Sequence, residues 1–187
     1  MKKINKIFLD LDGVIRNWVD GIYKLFRVPP IKIHNWNGVT EYVCYYHHMT
    51  VTQFWEQQDY NFWSNLPKLS YANKVLELLP LDKVCILTSP TLSSAGGTQK
   101  WIRNNLPTFF KNKQYLIGPA KQFCASENSI LIDDSDYHID NFINAGGNGI
   151  LFPQRWNKNR KYITHLDSRV DYLKNQLTLY DIGKDKC

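Results

Sequence analysis

Two aspartates lie two residues apart, directly after a short apolar run near the start of the chain. Residues 7–9 are Ile-Phe-Leu, Asp10 and Asp12 follow, and Gly13 provides a bend that can turn both carboxylates toward one substrate. A carboxylate can attack phosphorus as a covalent nucleophile. A second, protonated carboxylate can donate to the leaving oxygen and afterwards activate water. The pair predicts catalytic roles for Asp10 and Asp12, although a helix cap or a solvated loop is the alternative interpretation.

A second acidic pair ends another apolar run. Asp133 and Asp134 follow residues 130–132, which are Ile-Leu-Ile. Carboxylates are hard oxygen ligands of the kind that magnesium prefers. Aspartates that converge from separate strands repel one another unless a cation lies between them, and a divalent cation also polarises a phosphoryl group. We therefore predict a Mg²⁺ site that includes this pair, the alternative being a solvated acidic turn.

Hydroxyl and ammonium groups add weaker signals between the two acidic pairs. Thr88 and Ser89 follow the apolar run 84–87, and Lys121 comes shortly before the run 130–132. Hydroxyls and free backbone N–H groups can hold phosphoryl oxygens, and a lysine can neutralise a carboxylate and a phosphate. Each signal alone is weak, because Thr-Ser-Pro is also an ordinary turn and most lysines are solvated. Their order along the chain makes coincidence a poor explanation.

The elements that must position these residues follow from the hydrophobic pattern. Short apolar runs without alternation are typical of strands buried on both faces of a parallel sheet, and ligands of such sheets bind beyond the carboxyl ends of the strands. The stretches between these runs can form helices, so strands alternate with helices along the chain. That alternation predicts a doubly wound α/β fold with helices on both faces. The further strands predicted are 115–117 and 149–152; the helices predicted are 70–79 capped by Ser70, 98–105 from Thr98, and 136–145 before Gly146.

Residues 16–66 do not fit that alternation. They contain Pro29-Pro30 and several aromatic stretches, among them 42–48 and 60–63. We interpret them as a small helical cap that is inserted after the first strand and can close over the strand ends. The predicted core then comprises residues 1–15 and 67–187, of which the polar stretch 158–187 carries no clear signal.

The order of the motifs resembles that of the haloacid dehalogenase (HAD) superfamily over most of residues 5–157. More specifically, it resembles the 5'(3')-deoxyribonucleotidase family, and its small phage and bacterial members in particular. The family has a Rossmann-like core with a small helical cap, and it removes phosphate from (deoxy)nucleoside monophosphates. The segments that carry the resemblance are 10–14, 88–90, Lys100-Trp101, Lys121, 132–134 and 146–153.

The resemblance implies a role for each matching residue. Asp10 is implied as the nucleophile and Asp12 as the general acid and base. Magnesium is implied as the cofactor, held by the Asp10 carboxylate, the Asp12 backbone carbonyl and Asp134, with Asp133 beside it. The groups implied to bind the phosphoryl oxygens are Thr88, Ser89, Lys121 and, from the first turn of its helix, Lys100.

Aromatic residues of the cap are implied to stack on the nucleobase. The candidates are Trp18, Trp36, Phe62 and Trp63, and for each the alternative is a place in the core of the cap. The Ser- and Gly-rich stretch 91–97 departs from the mammalian members of the family. Base preference, sugar preference and the position of the phosphate on the sugar therefore stay open.

Composition and charge limit the partners and the location that we expect for the protein. The chain has 187 residues, is 43% hydrophobic and has a formal charge of +6, which favours anionic partners. The basic group 158–161 is interpreted as a solvated surface stretch. No C-x-x-C pair, signal peptide core or membrane-length apolar run is present, so we expect a cytoplasmic protein that does not bind membranes. The oligomeric state, a dimer included, stays open.

Two other functions compete with a mononucleotide phosphatase. One is another HAD phosphatase, such as a polynucleotide 3'-phosphatase or an enzyme for a small phosphate ester. The positive charge favours a polymer, whereas the small aromatic cap favours a mononucleotide. The other is a nucleotide- or nucleic-acid-binding protein without enzymatic activity, against which the retention of both Asp10 and Asp12 argues.

Overall fold

A five-stranded parallel sheet organises the chain. The computed structural model describes residues 1–89, 91, 94–165 and 167–183. The strands of the sheet are β2 (Lys6–Leu9), β3 (Val84–Thr88), β4 (Tyr115–Ile117), β5 (Ser129–Asp133) and β6 (Asn148–Leu151), in the spatial order β4-β3-β2-β5-β6. A separate parallel pair joins β1 (Lys2–Lys3) to β7 (Tyr180–Asp181). The predicted α/β class with a parallel sheet is confirmed.

The central strands β2, β3 and β5 are buried on both faces because their side chains alternate between two hydrophobic clusters. Ile7 and Leu9 of β2 belong to a large cluster on one face, whereas Phe8 belongs to a smaller cluster with Phe142 on the other. Successive side chains of a strand point to opposite faces, so an unbroken apolar run covers both. Phe142 lies on α8 (Asp136–Asn144), which therefore covers the second face.

The remaining helices complete the layers and the cap. Four of them, all between β2 and β3, lie in the predicted cap: α1 (Trp18–Leu25), α2 (Gly38–His47), α3 (Val51–Glu56) and α4 (Tyr60–Asn65). The others are α5 (Ala72–Glu77), α6 (Ala95–Asn105), α7 (Pro107–Lys111) and α9 (Ser168–Leu177), with short 3₁₀ helices at Leu81–Lys83, Lys121–Cys124 and Lys158–Tyr162. Helices were predicted after the first strand of the main sheet, and α1 to α4 lie there.

The cap packs closely on the core through α4 and α6. A Cβ atom on Gly97 would lie 2.7 Å from both the Trp63 Cβ and the Tyr60 carbonyl oxygen, so only glycine permits this approach. The two connections to the cap meet at Arg16, which forms isolated backbone bridges with Asp12 and with Lys68. The division into residues 16–66 and the rest stays a prediction, since cap and core side chains share one hydrophobic cluster.

Several predicted boundaries are wrong. Helix α6 begins at Ala95, three residues before Thr98, and α5 begins at Ala72 without a side-chain cap from Ser70. The stretch 158–187, which carried no clear sequence signal, contains regular structure. Helix α9 buries Leu173 in the large cluster, and β7 pairs with the N-terminal strand. Within the described residues, no helix combines the length and the apolar character that crossing a membrane requires.

Candidate active site

The predicted site residues meet where the strand order reverses. The chain runs from β2 to β3 and β4 on one side and then returns to β5 and β6 on the other. The carboxyl end of β2 is therefore the topological switch point, where open α/β sheets bind ligands. A cavity of about 510 Å³ opens there, and Asp10, Asp12, Thr88, Lys121 and Asp134 all line it.

Lys121 joins two of the carboxylates in a buried ionic cluster. Its Nζ lies 2.7 Å from Asp10 Oδ1 and 2.6 Å from Asp133 Oδ2, and its side chain is 2% exposed. Asp133 also accepts a hydrogen bond from the Ser135 backbone N–H at 2.8 Å and lies 3.2 Å from His138 Nδ1. Protein donors thus satisfy Asp133, whereas the second oxygen of Asp10 accepts no hydrogen bond from the described residues.

Burial and mutual repulsion set the protonation of the cluster. Burial raises the pKa of Asp10 to about 6, with Lys121 opposing the shift and Asp133 adding to it. Burial also opposes ionisation of Asp133, but Lys121 and His138 outweigh it and lower the pKa of Asp133. The pKa of Asp134 is raised well above its ordinary value by burial and then by Asp133 and Asp10. Three carboxyl groups thus share one lysine, and without a cation Asp10 and Asp134 hold protons to higher pH than ordinary aspartates.

These residues fit a divalent cation. Asp10, Asp133 and Asp134 each offer a carboxylate oxygen within 4.8 Å of the others. Asp134 Oδ2 accepts a hydrogen bond from Trp156 Nε1 at 2.7 Å, while its other oxygen has no donor among the described residues. Oxygen ligands with a surplus of negative charge are the donors that Mg²⁺ selects. Asp10 and Asp134 would hold the ion, and Asp133 would lie beside it.

Glycine is required in the loop that leads from Asp10 and Asp12 toward the predicted cap. Gly13 has a φ of +80°, and a Cβ there would lie 2.1 Å from Asp134 Oδ2. The loop is fixed from behind by Gln154, which donates from Nε2 to the Gly13 carbonyl oxygen and to the Tyr71 hydroxyl. The sequence D-x-D-G therefore lets the loop approach Asp134, the residue directly after β5, closely.

The predicted phosphate-binding residues separate into two groups. Thr88 lines the cavity, is 1% exposed, and its hydroxyl has no hydrogen-bond partner among the described residues. Ser89 lines it too, and donates from Oγ to the Gly118 carbonyl oxygen at 3.2 Å. Lys100, by contrast, is not among the cavity-lining residues described, and its Nζ lies 5.3 Å from the Tyr60 ring centroid. It occupies the second turn of α6, not the predicted first turn, because the helix begins at Ala95.

Tryptophans form much of the wall of the cavity. Trp36 and Trp55 are half-buried and both stack on Trp18, with ring centroids 4.9 and 5.8 Å away. Trp18 also lines the cavity, but it is only 2% exposed because Trp36 and Trp55 stack on it, and its Nε1 donates to Gln58 Oε1. Trp63 also lines the cavity, but Phe62 packs against α1 at Gly21 instead.

Sequence reasoning missed several residues that the fold brings to the site, among them two tryptophans, a histidine and an arginine. Trp55 and Trp156 line the cavity, and His138 lies beside Asp133. The buried Arg16 donates hydrogen bonds to both carboxylate oxygens of Asp12. Trp156 follows the predicted strand 149–152 closely, and that position could have indicated a site residue. For Arg16 and His138 no spacing signal distinguishes them from ordinary surface residues.

Comparison with known proteins identifies the fold. The structure is similar to a HAD family hydrolase from Deinococcus radiodurans R1 with bound phosphate and sodium, at a TM-score of 0.53 and 16% identity over 82% of this chain and 83% of that chain. It is less similar to a hydrolase from Pseudomonas syringae (TM-score 0.46, 17% identity, 78% and 82% covered). A HAD family enzyme from Bacteroides thetaiotaomicron, crystallised with magnesium and inorganic phosphate, gives 0.42 and 14% identity, with 83% and 96% covered.

The first of these similarities shows that the fold is that of HAD-family hydrolases. No protein-family model matches the sequence, and no curated protein matches it.

Proposed function

We propose that this protein is a magnesium-dependent phosphatase that transfers the phosphoryl group of its substrate to Asp10. The observation that carries the proposal is the arrangement around Asp10: a buried carboxylate paired with Lys121, facing a cavity that Asp12 and Thr88 also line. The phosphate bound by the similar Deinococcus hydrolase supports the same chemistry.

The protein's own groups account for the steps. A free oxygen of Asp10 attacks phosphorus and forms an aspartyl phosphate, while the ester oxygen departs with a proton from Asp12. Asp12 then takes a proton from water, which attacks the aspartyl phosphate and restores Asp10. Lys121 offsets the charge of Asp10, and the Thr88 hydroxyl, which has no hydrogen-bond partner within the described ranges, is available to a phosphoryl oxygen. A Mg²⁺ ion held by Asp10 and Asp134 would supply charge stabilisation at the phosphoryl oxygens.

Nucleoside monophosphates are the substrates that we propose. The cavity combines the acidic cluster, Lys121 and Thr88 with three tryptophans, of which Trp36 and Trp55 come from the predicted cap and Trp156 lies beside Asp134. Aromatic faces bind nucleobases by stacking, at roughly 1–3 kcal/mol per base. A volume of about 510 Å³ lies within the range of about 300–1,000 Å³ that is typical of small-ligand sites. The resemblance to deoxyribonucleotidases supports the same substrate class.

A substrate panel tests the proposal. Phosphate release is measured from 5'- and 3'-nucleoside monophosphates of each base, from p-nitrophenyl phosphate and from a 3'-phosphorylated oligonucleotide. Each assay is run with Mg²⁺ and with excess chelator, and with wild-type protein and Asp10→Asn. We expect Mg²⁺-dependent turnover of mononucleotides that Asp10→Asn abolishes. Preference for the oligonucleotide would favour a polynucleotide phosphatase, and nucleotide binding without turnover would favour a binding protein.

A further inference from the structure

Arg16 is a completely buried arginine at the point where the chain leaves the core for the cap. Its side chain is 0% exposed, although arginine is rarely buried without a specific partner. Its backbone bridges to Asp12 on one side and to Lys68, where the chain returns from the cap, on the other. Arg16 therefore lies at the crossing of both cap connections and directly beside the catalytic loop.

The guanidinium group holds Asp12 by two hydrogen bonds. Arg16 Nε donates to Asp12 Oδ1 at 2.8 Å, and NH2 donates to Oδ2 at 2.6 Å. The fork of an arginine matches a carboxylate in this bidentate geometry, which fixes the carboxylate plane as well as its position. Each carboxylate oxygen has a further lone pair, and the Asp12 side chain is 15% exposed where it lines the cavity. The pairing thus leaves Asp12 able to contact a ligand.

The surroundings of Arg16 fix the guanidinium in turn. NH1 donates to Thr98 Oγ1 of α6 at 3.2 Å, and the central carbon lies 5.1 Å from the Trp63 ring and 5.5 Å from the Trp101 ring. Trp63 belongs to the cap helix α4, whereas Thr98 and Trp101 belong to the core helix α6. Cation–π contacts of this kind strengthen when the cation is desolvated. The orientation of Asp12 therefore depends on groups from both cap and core.

We propose that Arg16 is a positioning residue that holds Asp12 in the orientation needed for proton transfer to the leaving oxygen. The inference rests on the proposed function, in which Asp12 is the general acid and base. A purely structural role would join cap to core through the two tryptophans and Thr98. A structural role would use the same ion pair only to stabilise the buried guanidinium, so the two roles differ in their effect on catalysis.

The dependence of kcat/KM on the leaving group distinguishes a positioning role of Arg16 from a purely structural role. Phenyl phosphate and p-nitrophenyl phosphate have similar shapes, but phenolate is much the poorer leaving group and depends more on a proton donor. The parameter is kcat/KM, because it reports the steps up to phosphoryl transfer and not the later attack of water. Arg16→Gln should lower kcat/KM for phenyl phosphate at least about tenfold more than for p-nitrophenyl phosphate. Arg16→Lys, which keeps the charge without the fork, should show the same selectivity to a smaller extent.

A double-mutant cycle tests whether Arg16 acts through Asp12. In the Asp12→Asn background, Arg16→Gln should lower kcat/KM for phenyl phosphate by less than about twofold further. The exposed Arg103→Gln, on the same helix as Thr98, is the control for the loss of a positive charge and should affect both esters equally. Circular dichroism and thermal melting identify variants that have not folded.

Several outcomes would overturn the assignment. Equal losses on the two esters in folded Arg16→Gln, or in Arg16→Lys if Arg16→Gln does not fold, would leave Arg16 with a structural role only. A full additional loss in the Asp12→Asn background would contradict action through Asp12. If wild-type protein releases no phosphate, or if Asp10→Asn is as active as wild type, the proposed function fails and the Arg16 assignment fails with it.

Discussion

Asp10 occupies an environment that suits a nucleophile. Burial alone would keep the carboxyl group protonated, but Lys121 at 2.7 Å opposes that effect, and the pKa of about 6 leaves most of the group ionised at neutral pH. One oxygen contacts the lysine and the other has no protein donor among the described residues. An ionised oxygen without a hydrogen-bond donor is available for attack.

The first prediction concerns this oxygen. Asp10→Asn should reduce phosphate release by at least about 10³-fold, because a neutral amide cannot attack phosphorus. Steady-state assays with p-nitrophenyl phosphate measure the loss. Asp140→Asn, on the exposed side of α8, is the matched control and should retain wild-type activity. Retention of a few tenths of wild-type activity by Asp10→Asn would refute the assignment of the nucleophile.

The second prediction concerns the acidic cluster and pH. The pKa values of Asp10 and Asp134 are raised, so the native state keeps protons that the unfolded state has already lost. The free energy of unfolding without metal should therefore fall as pH rises from about 4 through these raised values, to about 6 for Asp10. The lowered pKa of Asp133 acts in the opposite direction only at more acidic pH, where that group gains its proton.

Magnesium competes with those protons, so its stabilisation should grow with pH. At 100-fold excess over its Kd, a ligand adds about 2.7 kcal/mol, which corresponds to a rise in Tm of about 5–10 °C for a domain of this size. We expect that rise at pH 8 and a smaller one at pH 5. Asp134→Asn should raise the Tm in chelator at pH 8 and reduce the effect of Mg²⁺. Equal Mg²⁺ effects at both pH values would contradict the predicted site.

At the scale of elements, the sequence predicted where the central strands end and which polar residues follow them. It did not predict contacts between elements that are brought together only by the fold. Uninterrupted apolar runs identified β2, β3 and β5, and the polar residues after each run identified the cavity. Arg16 pairs with Asp12 at the point where the two cap connections meet. A contact of this kind produces no periodic pattern in the sequence. Helix α9 was missed because its mean polarity is high and only one narrow side is buried.

The third prediction tests the contribution of α9. Leu173 is 0% exposed and packs in the large cluster, so Leu173→Ala should lower the free energy of unfolding by about 2–5 kcal/mol. Leu179, which lies just beyond the helix and is 61% exposed, is the matched control. Leu179→Ala should change stability by no more than about 0.5 kcal/mol. Urea unfolding measures both, and a similar effect of the two substitutions would mean that α9 does not pack as described.

At the scale of the whole molecule, cap and core together make one cavity. The predicted core contributes the carboxylates, at the ends of β2 and β5, and Lys121, from the 3₁₀ helix Lys121–Cys124, while the predicted cap contributes Trp36 and Trp55. Trp156, from the loop after β6, contacts both parts: it donates to Asp134 and packs edge-on against Trp36, with ring centroids 5.4 Å apart. A substrate that fills the cavity therefore contacts the acidic cluster and the cap at the same time.

The last prediction tests whether the tryptophan wall recognises a nucleobase. Trp36→Ala should lower kcat/KM for the preferred nucleotide by about tenfold or more, since the loss of about 1.4 kcal/mol of stacking gives that factor. The same variant should change kcat/KM for p-nitrophenyl phosphate much less, because that ester is too small to use the whole wall. Trp18→Ala is the comparison: Trp18 is 2% exposed, so its removal should lower Tm and reduce both activities together. Equal losses on the two substrates with Trp36→Ala would mean that Trp36 only supports the cap and that the base is recognised elsewhere.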